Sequence, residues 1–353
     1  MSNIFKSLKT LSWDVPEEEY RKDPAISYST LSTFLEGGYE AIKNPKEMVS
    51  PSLTFGSAVD AILTGGMDEF NNRFVVINGP NISSTMVNIV KSLFQIYSSI
   101  YISLSDIPDD AILIILDKLE YQKNWKPATR IKDVREKGSE YYDMLYLCEG
   151  KTVLNKITYD EVCSCVRAIK TSKSTAKYFS DNFDDPDDMI EHLYQLKFKI
   201  PLENGIIYRC MIDKLIVNHR TKVIQPIDLK TSSTPEWDFY KSFVKWNYQI
   251  QNRLYYRILR KIISEDDYFK DFFIEDFIDV VVSKYTLCPL VWKCSFTKNY
   301  GDLTFGKRSQ IYMKDPETIA AELMYQIRNE SQTPIGIVTD GYNHLEDWLN
   351  NIN

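Results

Sequence analysis

Residues 206–233 read IIYRCMIDKLIVNHRTKVIQPIDLKTSS, and their periodicity decides the fold around them. Apolar residues recur in twos on either side of a polar turn at 218–221, the pattern of a β-hairpin. The spacing predicts one strand over 206–217 and another over 222–230. Each arm carries an aspartate, Asp213 and Asp228, and Lys230 follows the second by two residues. Side chains two apart on a strand share a face, so Asp228 and Lys230 point the same way and Leu229 points opposite. A turn centred near Arg220 sets Asp213 across from Asp228, with Cβ atoms about 4.5–5.5 Å apart.

Two bare carboxylates at that separation repel, and one titrates high unless a cation lies between them. A hard divalent cation such as Mg²⁺ takes oxygen ligands and resolves the repulsion. It also polarises a phosphate and activates water, and a lysine beside it can orient that water or offset charge building on the phosphate. The competing reading is an Asp–Lys–Asp cluster on a solvated sheet face. Met211, Ile212, Ile224, Pro226, Ile227 and Leu229 favour a buried strand pair, where charges are costly unless paired or metal-bound.

Outward from the hairpin, 192–200 (HLYQLKFKI) alternates as a further strand, and Asn204-Gly205 is a hairpin turn signal. Upstream, 1–26 reads as a polar lead-in. Helices are expected over 27–43, with Ser29 as N-cap and Gly37-Gly38 ending or bending it, over 53–63, over 84–123 and over 158–179. Residues 125–147 read as a short strand followed by a helix. Downstream, Ser233-Thr234-Pro235-Glu236 opens what reads as one long helix to about Ser264. Strands are expected over 277–285 and 290–296, and a last helix over 316–329. The order predicts an α/β or α+β core with N-terminal helical decoration. The chain is divided into the lead-in 1–26 and one domain, 27–353. That domain has a helical part (27–190), a catalytic sheet with its flanking helix (191–300) and a C-terminal part (301–353).

In the long helix, Lys241, Lys245, Gln249, Arg253, Arg257 and Lys261 recur every four residues, and Phe243, Ile250, Leu254 and Ile258 form an apolar stripe. The basic residues fit either a solvated face or a phosphate-facing groove. Thr231, Ser232 and Ser233 fit either phosphate hydrogen bonding or a strand end and helix cap.

Composition narrows the function classes. The 44% apolar content is that of a chain with a core. The high aromatic share, 13%, serves packing first and base stacking second. A net charge of −7 disfavours a broad basic surface but leaves room for a local basic groove. The six cysteines are scattered, with no CxxC pair and no histidine cluster, so no zinc site is expected. No signal peptide is read at the start, and the apolar run at 111–116 is too short to span a bilayer. The expectation is a cytoplasmic, reduced protein with no membrane partner.

Asp213 followed by Asp228-Leu229-Lys230 resembles the D…(D/E)xK signature of the PD-(D/E)xK nuclease superfamily. The order YSTLSTF, LTFGSAVDAIL, the D…DLK hairpin and YQIQNRLYY is similar to the RecE-type, exonuclease VIII-like branch of phages and prophages. The likeness spans roughly 27–342, and its specific part is the DLK strand with the following helix. It implies a restriction-endonuclease-like core with a central mixed sheet flanked by helices, and a Mg²⁺- or Mn²⁺-dependent DNA exonuclease, in the host cytoplasm if phage-encoded. Asp213 and Asp228 would hold the metal, Lys230 would assist the attacking water, and Gln251, with Tyr255 one turn on, would face the active site. Asp60 stands where the family's GTAxH element has histidine, and is expected to serve as a third oxygen ligand. Glu191 is a further candidate acid. Lys241, Lys245, Arg253, Arg257, Tyr255 and Ser232 make up the expected DNA-contacting set. The early cysteine that holds an iron–sulfur cluster in some relatives is missing, so no cluster is expected. The implied partners are linear duplex or single-stranded DNA, a single-strand annealing protein and further copies of the chain. A non-cutting nuclease-like scaffold and a structure-specific endonuclease are the alternatives.

Overall fold

The computed structural model describes residues 5–45, 50–77, 82–148, 150–179, 189–294, 303–305, 309–311 and 314–329. Residues 330–353 of the expected C-terminal part, and 295–296 of an expected strand, lie outside them. The described chain is α+β, with a mixed central sheet flanked by helices. Its contacts divide it into two compact units: residues 1–56 with 164–353, and residues 57–163.

The strands in chain order are β1 (Phe74–Ile77), β2 (Thr152–Asn155), β3 (Ile190–Pro201), β4 (Ile207–Asn218), β5 (Val223–Ser232), β6 (Phe273–Ile274), β7 (Phe277–Ser283) and β8 (Leu290–Cys294). The helices include α1 (Glu17–Lys22), α2 (Tyr28–Lys43), α3 (Pro51–Arg73), α4 (Ser84–Tyr97), α5 (Asp109–Lys118), α6 (Pro127–Leu147), α7 (Lys156–Thr171), α8 (Ala176–Phe179), α9 (Phe239–Lys245), α10 (Tyr248–Ser264) and α11 (Pro316–Asn329).

The larger unit carries the sheet, in the order β3-β4-β5-β7-β8, with β6 pairing β5 off this path. Neighbours run antiparallel except β5, which is parallel to both β6 and β7. The return to a parallel strand needs a crossover, and α9 and α10 supply it. Pro226 sits in β5 at the gap between its pairing with β6 and its pairing with β7. A residue without an N–H costs least at such a break, and Gln225 Nε2 bonds the Pro226 and Asp276 carbonyls there. Helix α10 lays Ile250, Leu254, Ile258, Leu259 and Ile263 into the core, joined by Leu31 and Phe34 of α2 and Ile319 and Leu323 of α11. Each such side chain contributes about 1.5–3 kcal/mol by leaving water.

The smaller unit packs α4, α5 and α6 around Met86, Ile89, Leu93, Leu104, Ile112, Leu116, Val134 and Tyr142. It also carries the parallel pair β1–β2.

Several expectations shift. The N-cap of α2 is Ser27, not Ser29: its hydroxyl accepts the Thr30 N–H at 3.3 Å, and the Thr30 hydroxyl accepts the Ser27 N–H. The helix bends at Gly38, whose φ is +65°. Residues 127–147 are helical from Pro127 onward, with no strand before them, because proline at the first turn starts a helix and supplies no ladder donor. The long helix expected to Ser264 is broken: a 3₁₀ turn (Glu236–Asp238) leads into α9, and Asn247 at φ +53° separates α9 from α10. Asparagine is among the residues that tolerate this left-handed conformation.

Candidate active site

The hairpin forms as its periodicity predicts, with β4 and β5 paired from Asn218↔Val223 to Lys214↔Ile227. Continuing that register sets Asp213 opposite Asp228, as expected, but the ladder stops one step short. The irregularity extends to β3, where pairing jumps from Tyr194↔Lys214 to Leu196↔Ile212. Gln195, the skipped partner, has φ +52°. The register is the same on both sides, but the core positions on β4 change from odd-numbered (Leu215, Val217) to even-numbered (Ile212, Cys210, Tyr208) across this point. Asp213 therefore stands at a local break where the chain is free to re-aim its side chain. Its Oδ2 accepts the Leu229 N–H at 2.8 Å, reaching across to β5 in place of a ladder bond.

Asp228, 2% exposed, is the centre of the constellation. Its Oδ1 accepts Nε2–H of Gln251 from α10 at 2.6 Å. Its Oδ2 lies 2.6 Å from Lys230 Nζ, an ion pair without hydrogen-bond alignment. Lys230 Nζ donates to Gln251 Oε1 at 2.8 Å and sits 4.3 Å from the centre of the Tyr248 ring. Burial opposes the ammonium, but Asp228, Tyr248, Asp279 and Asp213 outweigh it and raise the Lys230 pKa. Lys230 is thus a donor and positive charge here, not a base.

The sequence reading missed the residue beside Asp228. Strand β7 runs parallel to β5 in the register Asp228↔Asp279, so the two carboxylates are neighbours. Asp279 is fully buried. Asn252 Nδ2 lies 3.2 Å from both its oxygens and 3.0 Å from Cys294 Sγ, and the Cys294 thiol reaches Asp279 Oδ2 at 3.5 Å. Burial, then Asp228, push its carboxyl up to about 7. The available signal was an acid inside the otherwise apolar run FIDVVV, where a charge has to be useful or neutral.

Gly56, in the first turns of α3, approaches β5. A Cβ built on Gly56 would stand 3.0 Å from Thr231 Oγ1, so glycine permits the approach. Asp60 falls in the smaller unit, half-buried on α3 one turn beyond Gly56, with its carbonyl accepting from Thr64 Oγ1 at 2.9 Å.

Other expected residues are not brought to this centre. Glu191 pairs with Val217 near the far end of β4, and its carboxylate accepts from the Ser7 hydroxyl and the Leu8 N–H. It anchors the N-terminal segment. Of the expected DNA-contacting set, Lys241 and Lys245 are exposed on α9. Arg253 and Tyr255 are buried, Tyr255 against Phe277 in the core. Arg257 is committed to Asp315 at 2.5 Å and Glu317 at 2.8 Å. Ser232 is buried, bonded to Thr234 where the strand turns into the helix. The basic stripe fails for a geometric reason. At about 100° per residue, a four-residue repeat drifts about 40° per step, so even an unbroken helix carries it about 200° round from Lys241 to Lys261.

The donor set suits a hard divalent cation. Asp213 and Asp228 supply carboxylate oxygens from adjacent strands, with Asp228 Oδ2 ion-paired to Lys230 Nζ at 2.6 Å. Among the described residues no three His, Cys, Asp or Glu side chains form a group that could hold a metal. Mg²⁺ is commonly held by one or two carboxylates, with waters and substrate phosphate completing its shell.

No family model matches the chain, and a search of curated proteins finds no match to it. Among the described residues no helix is long and apolar enough to cross a membrane.

Proposed function

We propose that this protein is a metal-dependent deoxyribonuclease that hydrolyses phosphodiester bonds, working as an exonuclease in phage-type recombination or DNA processing. The observation that carries this reading is the Asp228–Gln251–Lys230 ring of contacts beside Asp213. A buried carboxylate, a lysine two residues on and a helix amide holding both is a costly arrangement that a purely structural strand does not need.

In this reading Asp213 and Asp228 would hold Mg²⁺ or Mn²⁺. The chemistry such a metal would supply is polarisation of the scissile phosphate and activation of a water. Lys230 supplies a fixed positive charge against the negative charge that grows on the phosphate oxygens. Gln251 keeps the Asp228 carboxylate and the Lys230 ammonium in one orientation, which limits reorganisation during the reaction. Asp60 as a further ligand, a single-strand annealing partner and a homo-oligomer rest on the family likeness alone.

The test uses end-labelled linear duplex, single-stranded and closed circular DNA, each with Mg²⁺. Loss of label from the linear substrates, abolished by Asp228→Asn, supports the exonuclease. Cutting of the circle identifies an endonuclease, and no cutting of any substrate with Mg²⁺ or Mn²⁺ leaves a binding scaffold.

A further inference from the structure

The helix that leaves the candidate site is amphipathic in an unusual sense. Phe239 and Phe243 of α9 point into the core, where both rings contact Tyr248, the ring that covers Lys230. Exposed to solvent are Trp237 of the preceding 3₁₀ turn and Tyr240, Lys241 and Lys245 of α9. Trp246 follows. Trp237 is 56% exposed and Trp246 39%, and Tyr240 is also exposed. Three large aromatic rings in water within ten residues of chain are a departure from ordinary burial.

The cations are interleaved with these rings. Lys245 Nζ lies 4.6 Å from the Trp246 ring centre and Lys241 Nζ 5.6 Å from that of Tyr240, while Lys241 also pairs with Asp238 at 3.0 Å. Glu236 fixes a neighbouring loop to the start of this segment. Its buried carboxylate accepts the Ser283 and Cys288 N–H groups at 2.9 Å each, and also the Thr286 hydroxyl. That loop presents Tyr285, 69% exposed, with Lys284 5.2 Å from its ring centre.

We propose that this exposed segment is a stacking platform for single-stranded DNA leading to the carboxylate–lysine site. Unpaired bases offer π-faces to rings, and phosphates offer charge to lysines, which matches the alternation of the two residue types. Duplex DNA hides its base faces and would use the lysines alone. From Tyr240 to Lys245 α9 rises about 7.5 Å, room for about two base steps at about 3.4 Å each. Phe239 and Phe243 of α9 link the platform to Lys230, because both contact Tyr248, whose ring centre lies 4.3 Å from Lys230 Nζ. The inference names the substrate strand for the nuclease reading and rests on it.

Fluorescence anisotropy of the full-length protein in EDTA, where metal-dependent cutting is silent, tests it. Labelled oligo(dT), a duplex of equal length and oligo(U) are titrated against the parent, Trp237→Ala/Tyr240→Ala and Lys241→Glu/Lys245→Glu. Melting followed by circular dichroism checks that each variant is folded. The expected result is tighter binding of oligo(dT) than of duplex or oligo(U), weakened about ten-fold or more by the aromatic pair of substitutions. The lysine pair weakens binding and flattens its salt dependence. Unchanged oligo(dT) affinity in the folded aromatic variant, or a preference for duplex or RNA in the parent, overturns the platform. The Mg²⁺ cleavage assay separates the two claims. Asp228-dependent cutting with binding indifferent to the rings removes only the platform. Ring-dependent binding without cutting removes only the nuclease.

Discussion

Gln251 donates Nε2–H to Asp228 Oδ1 across 2.6 Å, and its other amide atom, Oε1, accepts from Lys230 Nζ at 2.8 Å. One side chain from α10 thereby orients both charged members of the strand pair. Gln251→Leu keeps the volume and removes both bonds. The expected outcome is a cleavage rate lower by about 10–100-fold, with a loss of stability of about 2 kcal/mol. Steady-state cleavage with Mg²⁺ and urea unfolding measure the two. An unchanged rate would mean that the amide does not act on the site.

Lys230→Met leaves Asp228 buried without its ammonium. The variant should lose about 3–5 kcal/mol in EDTA. Adding Asp228→Asn removes the orphaned charge, so the double variant should regain part of that loss. Mg²⁺ should raise the melting temperature of Lys230→Met more than that of the parent, because a cation replaces the missing charge. A metal-insensitive melting temperature in both proteins would count against a metal site at Asp228.

The carboxylates and lysine were legible in the sequence because strand periodicity leaves little freedom. Asp228 and Lys230 two apart share a face, and the turn at 218–221 sets Asp213 across from Asp228. The break at Gln195 and Asp213 was not legible, since the β3–β4 register is the same on both sides of it and both strands keep their length. The helix break at Asn247 was hidden for a similar reason: KWNYQ carries no proline or glycine, and the stop is set by tertiary packing of Tyr248 on Phe239. Arg257 read as a surface charge because its partners, Asp315 and Glu317, are distant in sequence. Asp279 needed the β5–β7 register, which no local pattern supplies.

Glu236 shows how a buried acid can be structural. Its carboxylate satisfies two backbone N–H groups of the 283–288 loop, and its own carbonyl accepts from Trp292 Nε1 at 3.2 Å. Glu236→Ala orphans those donors and should cost about 2–4 kcal/mol. Urea unfolding measures the cost, and a loss below about 0.5 kcal/mol would mean that the loop is held by other contacts.

His219 gives the N-terminal segment a pH dependence. It is buried, stacked on Phe5 at 3.8 Å, with Tyr268 Oη 3.2 Å from Nδ1 and Glu191 Oε2 3.4 Å from Nε2. Burial lowers its pKa, and Glu191 only partly offsets this. The unfolded chain therefore binds a proton at higher pH than the folded one. Stability contributed by the neutral ring is present above the ordinary histidine value, about 6.5, and is lost as pH falls below it. Acidification from neutral pH should lower the melting temperature, and His219→Gln should flatten that slope between about pH 5 and 7. An identical slope in the variant assigns the acid sensitivity elsewhere.

The most direct measurement is release of end label from linear DNA by the parent, Asp213→Asn, Asp228→Asn and Lys230→Met, each with Mg²⁺ and with EDTA. The account predicts release by the parent with Mg²⁺ alone, and a loss of at least about a hundred-fold in each folded variant. Release that persists in EDTA, or in folded Asp228→Asn at the parental rate, would contradict it.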